Sequence, residues 1–368
     1  MDTLTGTSNG IAPESQGLTE RLFSAAVAAG EVFAVYLGDR LGFYEALAAA
    51  DNPLTSAELA ARTGTAERYA REWLEQQAVS GILTVDDPDA EARARRFQMP
   101  EAHRAALVEY QDLACMTPML RLLVGCSQVL PQVEAAFRSG GGVPYTAFGE
   151  VRDAIASCNH PLFANLLGTE WLPAIPDVHA RLTTDSAARV ADIGCGLGWS
   201  SIAIAEAYPL VQVDGFDLDA DSIAAAQENA VARGVADRVR FQVRDAGDPA
   251  LAGNYTLACA FECIHDMADP VSVLRAMRRL VGEGGTALVA DERVAESFTV
   301  SPTEMERLMY AVSLLHCLPV GMADTPSVAT GTIMRPDTFR GYAAQAGFRD
   351  VEILPIENDA WYFYRLTG

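Results

Sequence analysis

Apolar positions recur at helical spacing over residues 18–30 and 31–50, through Leu22, Phe23 and Val27 and then Val32, Phe33, Tyr36, Leu41, Phe43, Tyr44 and Leu47. This predicts two helices with wide apolar faces. A short helix follows, with Thr55 or Ser56 as its cap and Gly64 as its stop, and then another over 66–80 capped by Thr65. Residues 81–85 and 96–99 read as two strands around an acidic turn. Helix, turn, helix and hairpin together predict a winged helix over residues 18–110. Apolar residues at helical spacing return over 102–133 and 159–171, broken by glycines at 140–142. Residues 111–184 are therefore expected to form a helical connector, part of it roofing a pocket as a substrate cap.

From residue 189 the pattern changes. Short apolar runs at 190–193, 211–216, 239–243, 255–261 and 286–290 alternate with helical patterns at 200–208, 220–233 and 270–281. Strand–helix alternation predicts a mostly parallel, doubly wound sheet. The end differs: a helix at 336–346 precedes strands at 348–355 and 361–366, joined by a four-residue turn, so an antiparallel hairpin is expected there. The expected fold is α/β: a Rossmann-like sheet of seven strands over 185–368, ending in that hairpin and preceded by the mainly α winged-helix domain. Residues 293–335 are long for a strand-to-helix connection and are expected to be a lid. Residues 1–17 are polar, resemble neither a signal nor a transit peptide, and are expected to be a disordered tail.

The stretch from Arg189 to Ser200 joins the first of these strands to its helix through Gly194, Cys195, Gly196, Leu197 and Gly198. Ser200 and Ser201 are the expected caps of that helix. Glycines at such a turn let a ligand approach the backbone, at the strand end where nucleotide-like ligands bind. In a dinucleotide fingerprint Trp199 would be glycine, and without lysine the turn is not a phosphate-binding loop. Asp217 ends the second strand, nineteen residues after Gly198. A carboxylate there can accept both hydrogens of a ribose diol. Asp245 ends the third strand and could accept from an adenine amino group.

Composition narrows the partners. The 368 residues carry a net charge of −22, and all 27 basic residues are arginine. Without lysine, Schiff-base chemistry is excluded. A nucleic-acid binder needs a basic footprint. Residues 1–110 instead hold nine arginines against seventeen acids. No nucleic acid and no membrane partner is expected, and no uncharged apolar stretch is long enough to span a bilayer. The seven cysteines are scattered without a C-x-x-C pair, so neither a metal site nor a disulfide framework is expected, but free thiols in the cytoplasm.

The 192–198 run, Asp217 and the Asp245-Ala246 pair resemble the class I S-adenosylmethionine-dependent methyltransferases. That resemblance implies S-adenosylmethionine as cofactor, leaving as S-adenosylhomocysteine, held by Asp192, Gly194, Cys195, Gly196, Asp217, Leu218, Asp245, Ala246 and Phe261. The N-terminal half resembles the module through which small-molecule O-methyltransferases of this kind dimerise, so a homodimer acting on a small molecule of secondary metabolism is implied. The runs at 314–319, 329–336 and 356–359 resemble an actinobacterial branch of that group. There the fourth strand runs into Leu-His-Asp-Trp, whose histidine is the general base. Here it runs into Ile264-His265-Asp266-Met267, so His265 falls at the base position, with methionine in place of tryptophan.

Transfer from a sulfonium requires chiefly that a nucleophile be aligned with the C–S bond. His265 has a pKa suited to accepting the acceptor's proton. Glu292, ending the fifth strand, could orient His265 or bind a cationic substrate. Trp171, Tyr310, His316 and Met322 are candidates to touch substrate, and Tyr145 and Trp171 could close over the methionine moiety. Two other readings stand: a cofactor-binding enzyme turned to a different reaction, and a ligand-responsive DNA-binding regulator using the winged helix.

Overall fold

A computed structural model describes residues 13–368. Most of the expected tail lies outside the described residues, but residues 13–17 belong to a helix, α1 (Pro13–Arg40). The two helices expected over 18–50 meet this chain differently. Nothing breaks the helix at Gly30, and α1 runs on until Gly42, in the left-handed region at φ 67°, opens α2 (Phe43–Ala48). Each glycine within a helix costs only about 1 kcal/mol, which the flanking helix can carry. Over Gln16–Arg40, α1 is long and apolar enough to cross a membrane by length and composition.

The contacts divide the chain into two compact units, up to Val124 and from Gly125. In the first, Thr55 caps α3 (Ser56–Thr63) in a capping box with Glu58, and Gly64 ends it at φ 69°. The next helix, α4 (Glu67–Val79), starts from Ala66, without a side-chain cap from Thr65. Strands β1 (Leu54–Thr55), β2 (Thr84–Val85) and β3 (Arg96–Gln98) form a small antiparallel sheet in the order β1-β3-β2. Phe43, Tyr44, Leu59, Leu74 and Phe97 fill the core beneath it.

The second unit is built on a seven-stranded sheet: β4 (Arg189–Ile193), β5 (Gln212–Asp217), β6 (Val239–Val243), β7 (Leu257–Phe261), β8 (Thr286–Glu292), β9 (Asp350–Ile353) and β10 (Trp361–Thr367). The order is β6-β5-β4-β7-β8-β10-β9, with β10 antiparallel to both neighbours and the rest parallel. Every residue of β7 and β8 is buried, as a parallel strand covered on both faces must be. The strand order reverses between β4 and β7, opening a crevice at their carboxyl ends.

The connector departs from its expected helix start at residue 159. A helix over Val151–Leu162 contains Pro161 and continues as a π-helical stretch, Phe163–Trp171. The wider turn lets the chain pass the proline without a break, and such turns gather at functional sites.

Candidate active site

The glycine turn after β4 is pinned from β5. Gly194 N–H donates to the Phe216 carbonyl at 2.8 Å. Gly196 N–H donates to Asp217 Oδ2 at 2.9 Å, and Asp219 N–H donates to Asp217 Oδ1 at 2.9 Å. Burial nevertheless raises the Asp217 carboxyl above its ordinary range. Gly196 sits at φ 51° and faces open space, so a Cβ there would meet no protein atom within 4 Å. Gly198 differs. At φ 80° it opens the helix Trp199–Ala207, and a Cβ would lie 2.5 Å from the Phe241 ring. The third glycine is thus placed by packing.

Asp192 does not face this turn. Its carboxylate is buried and accepts hydrogen bonds from Ser200 and Ser201, each at 2.6 Å. The serines expected to cap the helix instead satisfy this strand acid. Burial outweighs those bonds and raises its pKa to about 6.

A cavity of about 780 Å³ opens at the strand ends. Gly194, Cys195, Gly196, Asp217, Leu218, Asp245, Ala246 and Phe261 line it, as do Tyr145, Asn159 and Phe163 from the connector. Seven carboxylates (Asp217, Asp219, Glu262, Asp245, Asp266, Asp269 and Asp324) face two arginines, Arg152 and Arg244. Both arginines are engaged: Arg152 with Asp153 and Asp219, Arg244 with Asp248. The cavity is therefore built for a cation or a neutral molecule.

His265 lies behind the cavity wall and is not among its lining residues. It is buried, with Nδ1 2.7 Å from Asp291 Oδ1. Burial opposes its charge, but the Asp291 carboxylate more than offsets this, and its pKa stands well above the ordinary histidine value. Glu292 is buried beside Asp291, its carboxyl also raised well above the ordinary range, by burial and then by Glu262.

The four expected substrate residues are elsewhere. Trp171 is core, packed on Trp361 and Phe363 with ring centroids 5.4 and 5.0 Å away. Tyr310 is at the surface, accepting a bond from Arg335 at 2.9 Å. His316 is buried against Phe148, and burial followed by the His265 charge lowers its pKa to about 4. Met322 is half-buried off the cavity wall. Of the 293–335 insertion, Val320 and Asp324 reach the cavity. A place in the expected lid, for Tyr310, His316 and Met322, or just before the first strand, for Trp171, leaves the facing direction of a side chain open.

Glu262 was not foreseen. It lines the cavity one residue past β7, and the strand-end position was the available signal. Its backbone is in the left-handed region at φ 53°, where a side chain is strained. Its N–H donates to the Ala290 carbonyl at 2.8 Å, and Asn159 donates to its carboxylate.

The sheet thus has its crevice at the β4–β7 switch, with the Asp217 carboxylate and a lysine-free glycine turn on the cavity wall, the setting in which open α/β sheets bind small-molecule ligands. Residues 184–332 match the family described as "Methyltransferase domain", and residues 28–109 match "Rv2258c-like winged HTH domain". The chain thus carries a methyltransferase domain preceded by a winged helix-turn-helix domain.

Among curated relatives, ajmaline N-methyltransferase of Rauvolfia serpentina is 31% identical over 99 residues, 27% of this chain and 34% of that protein. Ubiquinone biosynthesis O-methyltransferase of Ralstonia nicotianae is 27% identical over 197 residues, 52% of this chain and 73% of that one. The chain spans about a third of the length of the first curated relatives it matches. Human N-acetylserotonin methyltransferase, solved with S-adenosylmethionine, superposes with a TM-score of 0.71 at 18% identity, covering 99% of this chain and 100% of that one. The mitomycin 7-O-methyltransferase MmcR gives 0.68 at 18%, covering 96% and 98%. At these identities the likeness is one of fold.

Proposed function

We propose that this protein transfers a methyl group from S-adenosylmethionine to a small-molecule acceptor in the cavity at the strand ends. The observation that carries this is the Asp217–Gly196 hydrogen bond, which holds a glycine with open space before it beside a carboxylate facing the same cavity. A nucleoside fits there: Asp217 would take the ribose hydroxyls, Asp245 and Ala246 would border the base, and Gly194, Cys195 and Gly196 would border the methionine portion. The excess of carboxylates favours a sulfonium cation. When bound, that group supplies an activated methyl. The chain's own residues hold the acceptor in line with it and exclude water. Phe163, Phe261 and Met267 give the apolar wall for this. Tyr145, Arg152, Ile155 and Asn159 support a capping role for the connector, as Val320 and Asp324 do for the lid.

The winged helix is read as an assembly module. The arginines of α4 are taken by acids: Arg71 with Glu67 at 3.3 Å, and Arg68 with Glu72. Phe23, Leu22, Val27, Phe33 and Leu37 are exposed on α1, an apolar surface of the kind a second copy covers. The seven free cysteines accord with a cytoplasmic setting.

Calorimetric titration tests the reading. Saturable binding of S-adenosylmethionine and S-adenosylhomocysteine, with none for NAD, is expected. Binding of NAD alone would contradict it.

A further inference from the structure

The inference rests on the proposed methyl transfer and concerns the acceptor. Within the cavity wall the groups able to take a proton are carboxylates, because His265 and His316 do not line it. Glu262 stands apart from the other acids in three ways. Its strained backbone is anchored to the Ala290 carbonyl at 2.8 Å, which fixes where the side chain starts. Asn159, also on the cavity wall, donates to its carboxylate and fixes where the side chain ends. Beneath it lies Glu292, 2% exposed, with an Oε2 that has no hydrogen-bond partner.

Two neighbouring carboxyls held away from water cannot both ionise freely, and burial raises both above the ordinary range. Glu292 is the less exposed of the two, and its carboxyl is raised well above the ordinary range, by burial and then by Glu262. Glu262 is the member of the pair on the cavity wall, and Asn159, on the same wall, donates to its carboxylate. The nearby His265 charge is paired with Asp291, no arginine lining the cavity is free to neutralise Glu262, and Asp266 and Asp324 add carboxyls to the same wall. Such a wall stabilises a cation and repels the anion that develops when a phenol is methylated.

We propose that Glu262 binds the acceptor as an ammonium ion and takes its proton, so that the substrate class is a primary or secondary amine. The proton moves from the ammonium nitrogen to a Glu262 oxygen, leaving a lone pair on nitrogen. That pair forms the N–C bond while the C–S bond breaks with its electrons going to sulfur. The products are an N-methylammonium ion and a neutral thioether, and Glu262 returns its proton to water as the product leaves.

The test compares three indoles on the protein saturated with S-adenosylhomocysteine: tryptamine, its isosteric alcohol tryptophol, and the slightly larger anion indole-3-propionate. Dissociation constants are read by ligand-detected NMR at neutral pH. We expect tryptamine to bind at least about 10-fold tighter than tryptophol, indole-3-propionate to bind weakest, and Glu262→Gln to bring the amine and alcohol within about twofold. Glu262→Asp, which keeps the charge on a shorter arm, should retain part of the preference and stands in should Glu262→Gln not fold. Equal affinities for amine and alcohol, detectable or not, overturn the proposal, as does an amine preference that survives Glu262→Gln. A prior titration of wild type with S-adenosylmethionine separates the two levels. If it shows no binding, the methyl-transfer reading falls and this inference with it. If it shows binding without amine preference, the inference falls alone.

Discussion

His265 Nδ1 lies 2.7 Å from Asp291 Oδ1, both side chains buried, His265 in the turn after β7 and Asp291 near the end of the adjacent β8. The pair turns a histidine with the expected position of a base into a charged group behind the site. Asp291 Oδ1 also accepts the Glu292 N–H at 2.9 Å, so the same oxygen fixes the start of Glu292. The dyad thus anchors the backbone of Glu292, behind the cavity wall, and has its own effect on stability.

The sign of that effect follows from the raised histidine pKa. A folded value above the unfolded one means the stabilisation is fully present below the unfolded value, near 6.5, and is lost as pH rises through the higher folded value. Urea unfolding between pH 6 and pH 10 should show wild type losing stability with rising pH relative to His265→Gln. A constant gap between the two proteins across that range would contradict the charged pair. Asp291→Asn should cost about 3–5 kcal/mol near neutrality, because it strands a buried imidazolium.

Asp192 should behave in the opposite way to a typical surface acid. Its pKa is raised to about 6 by burial, so its favourable contribution is present below its ordinary value and lost as pH rises through about 6. Asp192→Asn keeps an acceptor for Ser200 and Ser201 and removes the charge. Its stability relative to wild type should rise by up to about 3 kcal/mol between pH 4 and pH 7, two pK units' worth. A difference independent of pH, measured by chemical denaturation, would show that the acid is not desolvated.

Gly196→Ala separates folding from binding. The new methyl meets no protein atom, so the folding cost is the left-handed backbone alone, about 1 kcal/mol. The methyl projects into the space that the proposed function assigns to the cofactor, so affinity for S-adenosylmethionine should fall at least about 10-fold, or 1.4 kcal/mol. Melting and titration of the same sample check both halves. Undiminished affinity would move the cofactor away from this turn.

Asp217→Ala removes the acceptor for two backbone N–H groups and, on the proposed reading, the partner of the ribose hydroxyls. Unpaired donors cost about 1–3 kcal/mol each when buried. We expect a lower melting temperature together with at least about 30-fold weaker binding, some 2 kcal/mol. Loss of stability with unchanged binding would leave Asp217 a purely structural residue.

The strands were legible because parallel strands buried on both faces appear as unbroken apolar runs. The expected bounds at 239–243 match β6, and the 270–281 and 336–346 helices match Pro270–Val281 and Pro336–Ala346. Asp217 and Asp245 were legible because a strand's end has a fixed place relative to the crevice. Side-chain direction was not legible. His265 sits in a single 3-10 turn, Ile264–Asp266, where one residue's rotation decides between cavity and core. Asp192 lies within a strand, where alternation could have placed it beneath the turn and Ser200 and Ser201 beside it. Glu262 was hidden because its strained backbone, which the pattern of residue types does not carry, is what turns it into the cavity.

The most direct test of the central claim is a structure determined with S-adenosylhomocysteine bound. It should show the ribose hydroxyls on Asp217, the base beside Asp245 and Ala246, and the amino-acid portion along Gly194 and Gly196. Ligand density elsewhere on the chain, with this cavity filled only by water at saturating ligand, would contradict it.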